Sequence, residues 1–401
     1  MSDMETREVK LGNIVKHNKG YAFKSSEYTD EGVMVVRVTD FTLDSISDAD
    51  AVYLAPDDRY DKFILKTNDI LIQTVGSWEN NPNSIVGKVV RVPKQCDNAY
   101  LNQNIVRIIP NNDLDNTYLF YALKANHFST YCVLRGQGAA NQASITLDTI
   151  FRFKFKAHNF TAQQRIAGIL SAYDNLIENN NKRIHLLEQM AENLYKEWFV
   201  RFRFPGYEDV DFENGIPNGW KIERLSDIAD IIMGQSPESE NYNTNCEGLP
   251  FHQGVGSYGE FYLIDDVYST KGNRIAEANS IIFSVRAPVG RINITLNKII
   301  LGRGVAAINS AKGYNAYLLW MLKNQFQQKD IIGNGSIFAS VTKKELFGFK
   351  ILMPNEDLIQ KFDSIASGIE REMRKISLIN SNLKKQRDML LPRLMSGKLE
   401  V

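Results

Sequence analysis

The chain has 401 residues, too many for one ordinary core, so two or more domains are expected. Its 43% hydrophobic and 23% charged composition fits a folded globular protein, and no apolar run approaches the roughly 18 residues a membrane helix needs. The formal net charge is zero, and residues 1–150 carry 15 basic against 19 acidic side chains, which excludes a polyanion binder relying on one broad basic face.

In chain order, residues 1–158 alternate short β-type runs, such as Val33-Met-Val-Val-Arg-Val38, with Gly and Asn turns. One helical stretch, 117–126, completes a predicted mixed α/β domain. Residues 159–200 predict a long helix. Thr161-Ala-Gln-Gln164 has the form of a capping box. After it Ile166, Leu170, Tyr173, Ile177, Asn180, Ile184, Leu187, Ala191, Leu194 and Trp198 follow at spacings of three and four. That pattern is a coiled-coil seam, with Asn180 fixing register at some cost in stability.

Residues 201–219 hold Pro205, Gly206, Gly215, Pro217 and Gly219, which cannot continue a helix and so form a connector. Residues 220–355 repeat the mixed pattern, with a helical stretch at 315–324. Residues 356–401 give a second long helix and tail, its seam read as Phe362, Ile365, Ile369, Ile376, Ile379, Leu383 and Leu390.

The two halves are copies. Ser144-Ile-Thr146 and Ile150-Phe-Arg-Phe153-Lys154 return as Ser340-Val-Thr342 and Leu346-Phe-Gly-Phe349-Lys350, at a constant offset of 196 that continues through both long helices. Upstream, Leu11-Gly-Asn-Ile14 with Gly20 answers Leu225-Ser-Asp-Ile228 with Gly234, and Ile70-Leu-Ile72 answers Ile281-Ile-Phe283. Tyr118-Leu119 with Lys124 answers Tyr317-Leu318 with Lys323. An ordered series of this length is internal duplication. Gly136/Gly138 and Gly333/Gly335 read as matched backbone turns.

Together these residues resemble the specificity subunit of type I restriction-modification systems, over essentially the whole chain. The sharpest parts are Gln163-Gln-Arg-Ile166 leading to Leu187-Glu-Gln-Met190, the connector from Trp198-Phe199 through Phe204-Pro205-Gly206 to Pro217-Asn-Gly219-Trp220, and the closing Leu391-Pro-Arg-Leu-Met-Ser-Gly397-Lys398. Asn102-Gln103, Gly234-Gln-Ser-Pro237 and Gly302-Arg-Gly304 also match, although Gly302-Arg303 stands where the first copy has Asn102-Gln103.

The resemblance implies an α+β fold: two mixed α/β target-recognition domains joined by two long antiparallel coiled-coil helices in a pseudo-two-fold circular arrangement. It implies that each domain reads one half of a bipartite site in double-stranded DNA. Two modification subunits with adenine methyltransferase chemistry would dock on the chain, and restriction subunits can join them to make an ATP-dependent nuclease. S-adenosylmethionine, ATP and Mg are then expected on the partner subunits, and no cofactor in this chain. Loops that differ on a repeated frame imply an asymmetric target.

Base edges are read by Arg or Lys at guanine and by Asn or Gln at adenine, from loops that reach a groove. Four loops qualify, 37–42 and 74–84 in the first domain and 252–258 and 286–291 in the second. The candidate DNA contacts are Arg37, Thr39, Trp78, Asn80, Asn81 and Gln103, then Gln253, Ser257, Tyr258, Arg286, Arg291 and Arg303.

The opening MSDMETREVK lacks a signal-peptide core, and Cys96, Cys132 and Cys246 are odd in number and far apart, so a cytoplasmic protein is expected. His17, His127, His158, His185 and His252 have no metal-ligand spacing. No GxxxxGKS/T phosphate loop, DPPY or NPPY tetrapeptide, or Asp…Glu-x-Lys nuclease set is found, so a non-catalytic chain is expected. The competing expectation is a coiled-coil scaffold joining other subunits without sequence-specific DNA contact; loops that vary on a preserved frame favour the DNA reader.

Overall fold

The computed structural model describes residues 6–42, 44–78, 84–125, 127–139, 142–330 and 340–400. The chain divides into two compact units, Met1–Glu178 with Asn380–Val401, and Asn179–Ile379. Each unit owns one globular domain and a stretch of both long helices.

In the first unit, Ile70–Gln73 is buried at all four positions, as a strand covered on both faces requires. It sits inside an antiparallel sheet ordered Val15–Lys19, Ile105–Pro110, Ile70–Gln73, Val89–Arg91. A second sheet joins Val52–Leu54, Val33–Val36 and Tyr100–Leu101, the last two running parallel with Val36 opposite Leu101. Thr6–Lys10 pairs with Lys154–His158 and leads the chain to the first long helix. The helix Asn116–Ala125 buries every residue from Tyr118 to Leu123, so it runs inside the core rather than across its surface.

The second unit repeats the central four-stranded sheet and the parallel strand pair of this frame, although its second sheet has five strands where the first unit's has three. Its antiparallel sheet is ordered Ala229–Met233, Val305–Ser310, Ile281–Ser284, Ile292–Ile294. Leu249–His252 runs parallel to Ile299–Leu301, with His252 opposite Leu301. Lys221–Arg224 pairs with Lys350–Met353, and the helix Asn315–Asp330 buries Ala316 to Lys323. The duplication reaches single hydrogen bonds. Ile145 N–H donates to Thr74 O at 2.9 Å, and its copy Val341 N–H donates to Val285 O at 2.8 Å. Gly138, at φ +150° with Gln142 O only 2.0 Å from where a Cβ would stand, is a backbone turn. Gly333 and Gly335 lie outside the described residues.

The first long helix runs Phe160–Tyr195 and closes in a π turn, Lys196–Val200, after which Phe202 takes φ +57° and turns the chain into the connector. There Trp220 packs against Phe202 at 5.3 Å and Phe204 at 6.0 Å between ring centroids. The second long helix runs Glu356–Met395. The expected capping box is not formed. Asn159 Oδ1 caps the helix by accepting from Ala162 N–H at 2.9 Å, and Thr161 lies within the helix. Gln163 faces the domain instead: its Oε1 accepts from Asp115 N–H and its Nε2 donates to His158 O, each at 2.8 Å.

On the first helix Ile166, Leu170, Tyr173, Ile177, Asn180, Ile184, Leu187, Ala191, Leu194 and Trp198 are all buried or half-buried. On the second, Phe362, Ile369, Ile376, Leu383 and Leu390 are too, but Ile365 and Ile379 are 48% and 40% exposed. Ala366, Met373 and Asn380 take the inner positions, at 0%, 0% and 5%. The sequence pattern allows either a three- or a four-residue step after Phe362, and the larger isoleucines favour the wrong one; a small Ala and a polar Asn keep the heptad phase. The helices run antiparallel within each unit. In the second, Arg183 meets Glu372 and Tyr195 meets Phe362, so residue numbers rise on one helix as they fall on the other; in the first, Asp174 meets Arg387, and Ile166 and Leu170 share a core with Leu394.

Candidate nucleic-acid interface

Each domain presents the same corner. The two parallel strands of the first domain end at Val36 and Leu101, and the chain leaves them through Arg37 and through Asn102-Gln103-Asn104. In the second they end at His252 and Leu301, and the chain leaves through Gln253 and Gly302-Arg303-Gly304. A third segment closes over each corner: Tyr21 N–H donates to Leu101 O and Gln103 N–H to Tyr21 O, while Gln235 N–H donates to Leu301 O. The approach is so close that a Cβ on Gly20 would stand 2.1 Å from Asn102 O, and one on Gly234 2.0 Å from Gly302 O. These two glycines are required by space.

The frame is held while its chemistry changes. Asn102 Oδ1 accepts from Asn104 N–H at 3.2 Å, an Asx turn that projects Gln103. Gly302 and Gly304 instead pass under Gln253, where Cβ atoms would approach its Cα and O to 2.7 and 2.2 Å, and they project Arg303. Gln103 and Arg303 are both exposed. The side chain best suited to adenine stands in one corner, and the one best suited to guanine in the other.

The loops beyond the corners are fixed internally. Arg37 donates to both oxygens of Asp40, at 2.7 and 3.2 Å, and to Asp50 O at 2.6 Å. It therefore sets the 38–40 turn rather than facing solvent. In the second domain His252, 1% exposed, joins Ser257 Oγ at 2.7 Å to Asp265 Oδ1 at 2.9 Å. Burial would raise the Asp265 carboxyl, but hydrogen bonds from His252 and Asn297 win and hold it below the usual aspartate value. Ser257 Oγ also lies 3.3 Å from Gly254 O, so the trio locks a loop. Burial pushes the Tyr258 phenol well above its usual value, and its hydroxyl is inaccessible to solvent.

The twelve candidate positions therefore separate. Gln103, Gln253 and Arg303 are exposed at the two corners. Thr39 is exposed nearby, its hydroxyl 3.2 Å from Asp40. Arg286 and Arg291 are exposed on the loop after Ile281–Ser284, which Ser284 braces by donating to Pro288 O at 2.7 Å and accepting from Arg291 N–H at 2.9 Å. Trp78 is half-buried against the first core, and Arg37, Ser257 and Tyr258 serve internal structure. Asn80 and Asn81 lie outside the described residues. Sequence reading missed Tyr21, 42% exposed, which packs with Tyr60 and Phe63 beside Arg59 and Lys62. It also missed the exposed Gln235 and Arg274 of the second corner; Arg274 O accepts from Leu301 N–H at 2.8 Å. The alternation of base and ring in Arg59-Tyr60-Asp61-Lys62-Phe63 was the available signal.

Among the described residues no helix is long and apolar enough to cross a membrane, and no cluster of His, Cys, Asp and Glu could hold a metal ion. Residues 1–189 and 217–386 each match the family model described as the Type I restriction modification DNA specificity domain. A Methanocaldococcus jannaschii protein with the provisional name of type I restriction enzyme MjaX specificity subunit is 31% identical over 352 residues, covering 85% of this chain and 80% of that protein. The type I restriction enzyme HindI specificity subunit of Haemophilus influenzae is 22% identical over 411 residues, covering 84% and 88%. The crystal structure of the type I restriction-modification S subunit from M. genitalium shares the fold, with a TM-score of 0.55 at 15% identity over 98% of this chain and 96% of that one.

Proposed function

We infer, from the premise that the chain belongs to the Type I restriction modification DNA specificity family, that it reads an asymmetric bipartite DNA sequence, one half with each globular domain. The observation that carries this reading is the pair of equivalent corners with different exposed side chains, Tyr21 and Gln103 in one, Gln235, Gln253, Arg274 and Arg303 in the other. A scaffold has no use for a corner whose backbone is kept and whose side chains are exchanged. A few basic residues at two corners also accommodate a chain of zero net charge, with partner subunits supplying much of the phosphate attraction.

The chain performs no chemistry of its own in this reading. It acts in the cytoplasm, spaces its domains by the two long helices, and directs two modification subunits to adenines near the half-sites; restriction subunits join the same complex. S-adenosylmethionine, ATP and Mg belong to those partners. Exposed apolar side chains on the helices, Leu186 at 59%, Met190 at 58% and Met389 at 62%, support docking there. The test is a domain exchange. Replacing residues 1–158 with the equivalent domain of another specificity subunit should change one half of the methylated sequence and leave the other. A change in both halves, or in neither, would defeat the reading.

A further inference from the structure

Beyond each corner a short loop turns back on itself. Phe41 bridges Ile46 in the first domain and Tyr258 bridges Leu263 in the second. Asp44 and Phe261 are each the third residue after the bridge opens, so they occupy one position in two copies. Both reach the same residue of the buried domain helix. Lys124 Nζ pairs with Asp44, and its copy Lys323 places Nζ 4.2 Å from the centre of the Phe261 ring. Each contact continues to a long helix. Asp44 also meets Arg387 at 3.2 Å, and Arg387 meets Asp174 at 2.6 Å; Lys323 meets Glu188 at 2.5 Å.

From this geometry we propose that Lys124 and Lys323 are positioning residues for half-site reading, each fixing the loop beyond its own corner to the long helix of the same unit. The inference rests on the DNA-reading function above and adds the residues that set it. The two junctions differ in chemistry. The first is a network of charges in which Lys124 and Arg387 share Asp44, and Tyr121 hydroxyl donates to Asp174. The second is a cation over aromatic rings, with Trp320 5.1 Å from Lys323 Nζ, closed by one carboxylate. The loop each lysine fixes continues from one of the two strands that build its corner, through Arg37 and Thr39 in the first domain and Gln253 in the second. A corner discriminates a base only if the segments that build it are held in place. Loss of either lysine therefore blurs one half-site and not the other.

The experiment uses the full chain assembled with its modification subunits. It measures methyl transfer from labelled S-adenosylmethionine to the target duplex and to duplexes with one base changed in either half. Lys124→Met should lower discrimination in the half-site of residues 1–158 by about ten-fold, within the range one base contact commands. It should raise KM more than it lowers kcat, and leave the other half-site alone. Lys323→Met should give the mirror result, and Lys124→Arg should restore most of the loss. Should Lys124→Met not fold, Asp44→Asn keeps the volume, removes the charge and carries the same expectation. Full discrimination in these variants, or equal loss in both half-sites, would overturn the assignment. A wild-type complex without base preference would overturn the DNA-reading function itself, and this inference with it.

Discussion

Arg303 stands in the second domain where Gln103 stands in the first, each the middle residue of the loop that leaves a parallel strand at Leu301 or Leu101. Arg303→Ala should cost about 1–3 kcal/mol of discrimination at one base pair, and Gln103→Ala a similar amount in the other half-site. Competition binding of the assembled complex with singly substituted duplexes measures both. A uniform loss of affinity for every duplex would make them phosphate contacts instead.

Leu394 and Met395 belong to the core of the first domain, as Trp198 and Phe199 belong to that of the second, at the repeat offset of 196. In the first copy the segment after Met395 therefore stands where the second copy has the connector. A permutant that joins 401 to 1 through a short flexible linker and opens near Asn214 should fold and support methylation. Its circular dichroism and its methylation rate in complex are the readouts. No linker length giving a folded protein would mean that this segment is not equivalent to the connector. Leu394→Ala, emptying a fully buried site, should cost about 2–5 kcal/mol in the same assay.

The frame was legible in sequence because burial writes a period. Ile70–Gln73, the buried domain helices and the seam of the first long helix all follow from where apolar residues recur. The second seam was less so, since Ala366 and Asn380 hold inner positions without the bulk that marks them. The site was half legible. Gln103 and Arg303 stand out by motif, but the long-range closure of Tyr21 over Leu101 has no local signature, and Arg37 looks like a DNA ligand until Asp40 and Asp50 are seen to hold it.

Glu370 is the copy of Asp174, yet the two carboxyls differ. Asp174 meets Arg387 at 2.6 Å and Arg91 at 3.8 Å. Glu370 has a buried Oε1, and burial first and Asp363 second push its carboxyl up to about 8, against Trp320 and Lys323. An unfolded Glu titrates near 4.3. The folded state therefore binds more protons between about 4.3 and that raised value, and stability from this group is full below the interval and lost as pH rises through it. The slope is at most about 1.4 kcal/mol per pH unit. Urea unfolding followed by tryptophan fluorescence from pH 5 to 9 should fall more steeply for the wild type than for Glu370→Gln. Parallel curves would show that the carboxyl is not held protonated.

The helices as a spacer give the most direct numerical test. The first long helix has 36 residues, which at about 1.5 Å each is about 54 Å. At about 3.4 Å per base pair this bounds the separation it can set at about 16 base pairs, and the unread gap is shorter because each domain covers several. The division between the two units falls after Glu178 on one helix and after Ile379 on the other. Four residues inserted at both places lengthen each helix by about 6 Å without cutting the contacts within either unit. They add about 40° of rotation beyond one full turn, a stutter that an antiparallel pair can absorb by local unwinding. Sequencing methylated adenines in cells carrying the insertion should return the same two half-sites with one or two more base pairs between them. An active variant whose gap is unchanged would show that the spacing is set by the partner subunits rather than by these helices.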